Sequence, residues 1–218
     1  MLAVMAGQRG TGGLASEVRL VLDWDGTVTE RDTLALVMEW FGDASTYRRN
    51  GELMGRSLTH DQALASSFAT VGASLPEVVD RLLRNVQIRP GFRALVERHR
   101  PLVISSGFHE LIEPFLAREG VDVELLANRV DARPEGWQIR FRDRAVCTAC
   151  GEPCKRSALP PGDVAYAGDG YSDRCAALAA TRVFATGALA EWLHGRDVAF
   201  ERFRDFYDVL TALDAGRL

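Results

Sequence analysis

The sequence predicts an α/β fold: a parallel sheet with helices on both faces, and a small helical cap inserted after the first strand. Two observations carry that expectation. Short apolar, β-rich runs alternate with helical stretches along the chain, the pattern of strands joined by helical crossovers. Three polar clusters, Asp23–Thr27, Ser105–Gly107 and Gly168–Asp173, each follow such a run directly. In wound parallel sheets ligands bind beyond the carboxyl ends of the strands. The clusters therefore mark one candidate site.

Val18-Arg-Leu-Val-Leu-Asp23, a short β-rich run that ends in polar residues, is the first strand. Residues 33–89 then read as helices. Asp32 can cap a helix over Thr33–Phe41, and Thr59-His-Asp-Gln62 and Ser74-Leu-Pro-Glu77 are capping boxes ahead of apolar periodic stretches. A helical block between two strands is a candidate cap. It divides the chain into a tail at 1–17, a core at 18–32 and 90–218, and a cap at 33–89. Gly91–Arg100 is a further helix, and Leu102–Ser105 a second buried strand that turns through Ser106-Gly107 into a helix over Phe108–Glu119. Val121–Leu126 is the third strand. Within Arg133–Arg142 a Pro-Glu-Gly turn precedes Trp137, Ile139 and Phe141 in alternation, the pattern of a hairpin with one wet face. Val164–Ala167 and Arg182–Ala185 complete the strands, each followed by helix.

At 218 residues the chain suits one large domain or a core with an insert. Its 47% hydrophobic and 26% charged residues exclude disorder and collagen-like structure. With 26 basic against 30 acidic side chains the net charge is −4, the wrong sign for steering onto nucleic acid or anionic lipid. No apolar run approaches the ~18–20 residues that cross a bilayer. The first residues lack a basic n-region and their apolar stretch ends at Gly7, so 1–17 reads as a flexible tail of a cytoplasmic protein, monomeric or homodimeric. Gly10-Thr-Gly12-Gly-Leu-Ala15 fits a dinucleotide fingerprint formally, but it precedes a strand instead of following one, which sets it aside.

In Asp23-Trp-Asp25-Gly-Thr27, period-2 geometry puts both carboxylates on one side and Trp24 on the other. Two such acids can divide their roles if a cation holds one ionised while the other titrates. A calcium loop is excluded, because its sixth position would be Val28 instead of Gly and its twelfth Leu34 instead of Glu. Taken singly, Ser105 reads equally well as a turn residue, and Asp169 and Asp173 as an N-cap and a first-turn acid.

Together, Asp23-Trp-Asp25-Gly-Thr27 after a strand, Ser105 ending the second strand, Lys155 after a long gap and Gly168-Asp169-Gly-Tyr-Ser-Asp173 after another strand resemble the haloacid dehalogenase-like phosphatases. The resemblance spans roughly residues 18–190. It implies a Rossmann-like core and the hydrolysis of a small phosphorylated metabolite. Asp23 would be the nucleophile. Asp25 would be the general acid and base. Asp23, Asp169 and the Asp25 carbonyl would hold Mg²⁺, with Asp173 supporting that shell through water or by binding Lys155. Ser105, with the N–H of Ser106 or Gly107, would bind phosphoryl oxygens, and Lys155 would offset the charge of Asp23 and phosphate.

A helical insert after the first motif, and Ala127-Asn128-Arg129 before the hairpin, resemble the phosphoserine-phosphatase-like subgroup. The arginine by which phosphoserine enzymes grip a carboxylate has no counterpart in Leu64-Ala-Ser-Ser-Phe68. Asp32, nine residues past the nucleophile, either meets substrate or only caps its helix. Arg56, His60, Phe68 and His109 are further contact candidates, each also readable as a surface or packing residue. Cys147-x₂-Cys150-x₃-Cys154-Lys155 resembles the cysteine-rich stretch of methionine-salvage enol-phosphate phosphatases and of phosphoethanolamine/phosphocholine phosphatases, and Cys175 falls after the last aspartate as in the latter. These four cysteines are either ligands of a structural Zn²⁺ or small buried apolar side chains. A phosphomutase of the same superfamily and a non-catalytic zinc-binding interaction module are the competing functions. A dehalogenase needs no second acid at position 25.

Overall fold

The structure, a computed structural model, describes residues 18–216. The expected tail at 1–17 and its glycine-rich segment lie outside the described residues. Seven strands, β1 (Arg19–Leu22), β2 (Leu102–Phe108), β3 (Glu124–Asp131), β4 (Gln138–Arg140), β5 (Val164–Gly168), β6 (Arg182–Ala185) and β7 (Glu201–Arg202), form one sheet in the order β4-β3-β2-β1-β5-β6-β7. Only the β3–β4 pairing is antiparallel. The α/β class expected from the sequence is the class observed.

Alternation along the central strands builds two cores. Leu20 and Leu22 of β1 join Val103, Ala165 and Ala167 on one face, whereas Val21 joins Leu102, Ile104, Val164 and Tyr166 on the other. The first face is covered by α5 (Phe92–His99), α6 (His109–Glu119) and α9 (Phe206–Asp214), and the second by α7 (Arg174–Ala177) and α8 (Gly187–His194). A sheet covered on both faces needs continuous apolar strands, and these short runs supply them.

Between β1 and α5 lie four helices, α1 (Thr33–Phe41), α2 (Ala44–Leu53), α3 (His60–Phe68) and α4 (Leu75–Asn85). Asp32 caps α1 through the Ala35 amide at 2.9 Å, and the capping box of Thr59 and Gln62 opens α3. The capping box expected at Ser74 does not form; Pro76 occupies the first turn of α4, where it removes an orphan N–H and presets φ. The two connections to the block meet as a short antiparallel neck: Thr29 bridges Ile88, the Glu30 amide donates to Gln87 O at 3.0 Å, and that of Arg89 to Val28 O at 2.8 Å. Leu36, Met38, Leu64, Phe68 and Leu82 of this block share one apolar cluster with Phe108, Ile112 and Phe115 of the sheet's first face. Phe68 is the link, meeting Phe108 edge-on at 4.9 Å and Trp137 at 6.1 Å between ring centroids.

Three elements differ from expectation. β2 continues past Ser105 to Phe108 because β3 keeps pairing there, with Phe108 opposite Asn128 across an irregularity in register. β3 starts three residues later than expected and runs to Asp131, so the hairpin joins β3 to β4 across a Pro-Glu-Gly turn. Its Trp137 is buried and donates Nε1–H to Ala73 O at 2.8 Å. The two-residue β7 leaves no periodicity to read.

If Phe68 joins cap and sheet in one core, Phe68→Ala costs about 3–5 kcal/mol of unfolding free energy, the usual loss for a buried aromatic. Urea denaturation followed by tryptophan fluorescence measures it, and a cost below about 1 kcal/mol would show that the two layers fold independently.

Candidate active site

The first loop is held from both sides. Trp24 is fully buried and packs edge-on against Phe92 and Phe115 at 6.0 and 6.2 Å, which leaves Asp23 and Asp25 on the opposite side of the chain. Gly26 has φ 77°, and a Cβ there would sit 2.4 Å from Asp169 Oδ2, so only glycine fits between the loops. The Arg89 guanidinium clamps the turn from behind, donating to Thr27 O and Gly26 O at 2.8 Å each and to Arg204 O at 2.7 Å.

Lys155, 3% exposed, forms an ion pair with Asp23 Oδ1 and another with Asp173 Oδ1, the latter at 2.7 Å. Asp173 also accepts from Tyr166 Oη at 2.6 Å and from the amides of Asp169 and Gly170 at 3.0 and 2.9 Å. Of the two jobs open to Asp173, these contacts match the binding of Lys155. Asp169 accepts from Thr27 Oγ1 at 3.0 Å, and carboxylate oxygens of Asp23, Asp169 and Asp173 lie within 4.8 Å of one another. Asp25 accepts from the hydroxyls of Thr33 and, at 3.3 Å, Ser105.

The electrostatics follow from one ammonium among four carboxylates. Burial resists the charge on Lys155, yet Asp173 and Asp23 hold it well above the usual lysine range. Asp173 is lowered, because its ion pair with Lys155 and its hydrogen bonds outweigh burial. The others move the opposite way. Burial, then the charge of Asp173, raises Asp23 against the pull of Lys155. Burial and the nearby Asp32 push Asp25 up to about 7, and burial and Asp173 push Asp169 up to about 7.

Ser105 Oγ accepts from the Gly107 amide at 2.8 Å, so this N–H faces the hydroxyl in the present arrangement. Ser106 lines a cavity of ≈ 280 Å³, and Asn128 holds its carbonyl at 2.8 Å. Asp23, Asp25, Asp169 and Asp32 open into the same cavity from the sheet side. Over it lie Tyr47, Arg48, Asn50 and Met54 of the α2 region and His60 and Leu64 of α3. Asp32 caps α1 and also lines the cavity. His60 lines it as well. Arg56 does not line it, Phe68 is core, and His109 pairs with Glu113 at 2.8 Å away from it. The sequence reading missed Arg48, Arg89, Thr33 and Tyr166. Arg48 lies on a helix without a distinguishing apolar stripe, and the other three are recognisable only through long-range contacts.

The four cysteines converge beside this site. Their sulfurs lie within 4.8 Å of one another, and Cys150, Cys154 and Cys175 line a second cavity of ≈ 460 Å³.

A family model, that of haloacid dehalogenase-like hydrolases, matches residues 20–178. The chain belongs to that family. Pdp3-interacting factor 1 of Schizosaccharomyces pombe is 26% identical over 86% of this chain and 90% of its own length. A 2-hydroxy-3-keto-5-methylthiopentenyl-1-phosphate phosphatase of Geobacillus kaustophilus is 27% identical over 92% and 97%. Among solved structures, a phospho-aspartyl intermediate analogue of phosphoserine phosphatase superposes with TM-score 0.65 at 17% identity, covering 90% of this chain and 99% of that one. Phosphoserine phosphatase from T. onnurineus gives 0.64 at 21%, over 92% and 97%. These share the fold of this hydrolase.

Raised carboxylates bind protons in the folded state that the unfolded state has released, so their stabilising contribution is complete below about pH 4 and is lost as pH rises toward about 7. In EDTA, the unfolding free energy of the native chain therefore falls more steeply over this window than that of the double variant Asp25→Asn/Asp169→Asn. Equal slopes by urea titration at each pH would contradict the crowding of these acids.

Proposed function

We propose that this hydrolase is a Mg²⁺-dependent phosphatase of small phosphorylated metabolites that works through a phosphoryl-Asp23 intermediate. The observation that carries the reading is the unlike setting of two neighbouring carboxylates. Asp23 is ion-paired with the Lys155 ammonium, whereas Asp25 accepts from the hydroxyls of Thr33 and Ser105. One acid is suited to attack and the other to carry a proton.

A divalent cation suits the donor set. Oxygens of Asp23, Asp169 and Asp173 cluster within 4.8 Å, and burial, reinforced by the charge of Asp173, raises Asp23 and Asp169. Hard carboxylate oxygens favour Mg²⁺ over softer metals. Asp23 and Asp169, with the Asp25 carbonyl, would hold it, and it would supply charge neutralisation to the phosphoryl group.

Asp23 attacks phosphorus in line with the ester oxygen, forming the Asp23 O–P bond as the P–O ester bond breaks. Asp25, protonated in part at neutral pH, gives its proton to the departing alkoxide. As a carboxylate it then takes a proton from the water that attacks the phosphoryl-aspartate, which releases phosphate and restores Asp23. Ser105, the Ser106 amide and Lys155 bind the phosphoryl oxygens. Leu34, Met54 and Leu64 offer apolar contact to the organic part of the substrate, and Arg48 a positive charge. The relatives named for a phosphorylated methylthiopentenyl substrate support a small phosphate ester of this kind. A panel of phosphorylated metabolites ranked by kcat/KM identifies it.

The expected outcome with p-nitrophenyl phosphate is turnover in Mg²⁺ that EDTA abolishes. Asp23→Asn loses it altogether, because an amide is no nucleophile, and Asp25→Asn falls by roughly 10²–10⁴-fold. Near-native turnover by Asp23→Asn would overturn the mechanism.

A further inference from the structure

We propose that Cys147, Cys150, Cys154 and Cys175 bind one structural Zn²⁺ that cross-braces the two chain segments delivering Lys155 and Asp173. This site is separate from the carboxylate site and goes beyond the proposed reaction.

Geometry is the first support. A tetrahedral ZnS₄ centre with Zn–S near 2.3 Å has S···S edges of about 3.8 Å. The Cys147 and Cys175 sulfurs stand 3.8 Å apart, and all four sulfurs fall within 4.8 Å of one another. A disulfide needs ~2.05 Å between sulfurs, and all four cysteines are free. The second support is exposure. Small apolar packing would bury all four side chains, yet only Cys147 is buried, while Cys150 is exposed and Cys154 and Cys175 are half-buried. Three thiols thus meet one another with solvent access, where packing is no reason for them to gather.

The local backbone adds a third. Val146 pairs with Pro153, the Cys147 amide donates to Glu152 O at 3.0 Å, and the Gly151 amide returns to Cys147 O at 2.8 Å. These bonds close a tight loop around the first two cysteines, with Gly151 at φ 76°. Binding of the metal would release the thiol protons. Four sulfur donors with no open position suit a structural zinc and not a catalytic one.

The position gives the site its job. Cys154 immediately precedes Lys155, and Cys175 lies two residues after Asp173. A metal joining them closes a ring that contains the 2.7 Å ion pair between Lys155 and Asp173. The same loop meets the cap: Glu152 accepts from the His60 amide at 3.4 Å, and Arg144 just before it pairs with Asp61. Lys155 is therefore approached by a braced segment, and the brace lies against the roof of the substrate cavity.

Elemental analysis of full-length protein, grown in zinc-supplemented medium and purified under reducing conditions without chelator, tests this. The expected result is about one zinc per chain, retained in Asp169→Asn and reduced at least about fivefold in Cys150→Ser and in Cys175→Ser. Because those variants can fail to fold, wild-type protein stripped of metal is also titrated with Co²⁺. Thiolate-to-cobalt charge-transfer absorption, displaced by Zn²⁺, supports the site. Less than about 0.2 zinc per chain in the wild type, iron in its place, loss of zinc in Asp169→Asn, or Co²⁺ binding without thiolate absorption would each overturn it.

Discussion

A lysine ammonium buried between two carboxylates is the constraint on which this molecule's site depends. Lys155 is 3% exposed and contacts Asp23 at the end of β1 and Asp173 after the end of β5. Desolvating such a charge is costly, and the pairs offset that cost only while the geometry holds; removing one partner from a buried pair typically costs about 3–5 kcal/mol. Position 155 must therefore be brought to the point where two adjacent parallel strands end. Tyr166, projecting from β5, and the amides of Asp169 and Gly170 fix Asp173 as the far anchor. Asp23 is the near anchor, and it faces the cavity.

The remaining features follow from having one cation where four acids converge. Burial, together with neighbouring acids, pushes Asp25 and Asp169 up to about 7, so each holds part of a proton at neutral pH. Close approach of the loops forces glycine at position 26, and Arg89 supports that turn through carbonyls on its outer side. Arg89 also ends the neck of the cap, since its amide bonds Val28 O. The segment that enters the helical block and the segment that positions the acids are thus held by one residue, through its amide and its guanidinium. A tilt of the cap would be felt at Asp25, whose partner Thr33 opens the first cap helix.

The placement of the acids by short contiguous motifs was legible in the sequence. Asp23, Asp25 and Asp169 stand directly after apolar runs, and strand ends in wound sheets are where ligands bind. The central strands and the helical insert were legible for the same reason, since burial on both faces leaves continuous apolar runs and capping residues mark helix starts. Features set by contact across the chain were not. Nothing local distinguishes Arg89 or Tyr166 from other arginines and tyrosines, and Arg48 belongs to a helix whose only buried residue is Asn50. The end of β2 was misplaced because Ser105-Ser-Gly107 reads as a turn, whereas pairing with β3 carries the strand through an irregularity to Phe108. Ser74 carried a capping signature, but its side chain makes no cap hydrogen bond and Pro76 lies in the first turn of α4.

Everything about the proposed chemistry requires that Lys155 reach a phosphoryl group on Asp23 without letting go of Asp173. A crystal structure of the protein with Mg²⁺ and beryllofluoride, a mimic of a phosphoryl group on a carboxylate, tests that requirement most directly. The expected result is the trifluoride bonded to Asp23, touching Ser105 and Lys155, with the ammonium still within hydrogen-bond distance of Asp173. An anion bound away from the strand ends, or a Lys155 turned out of contact with Asp173 when the anion is present, would contradict it.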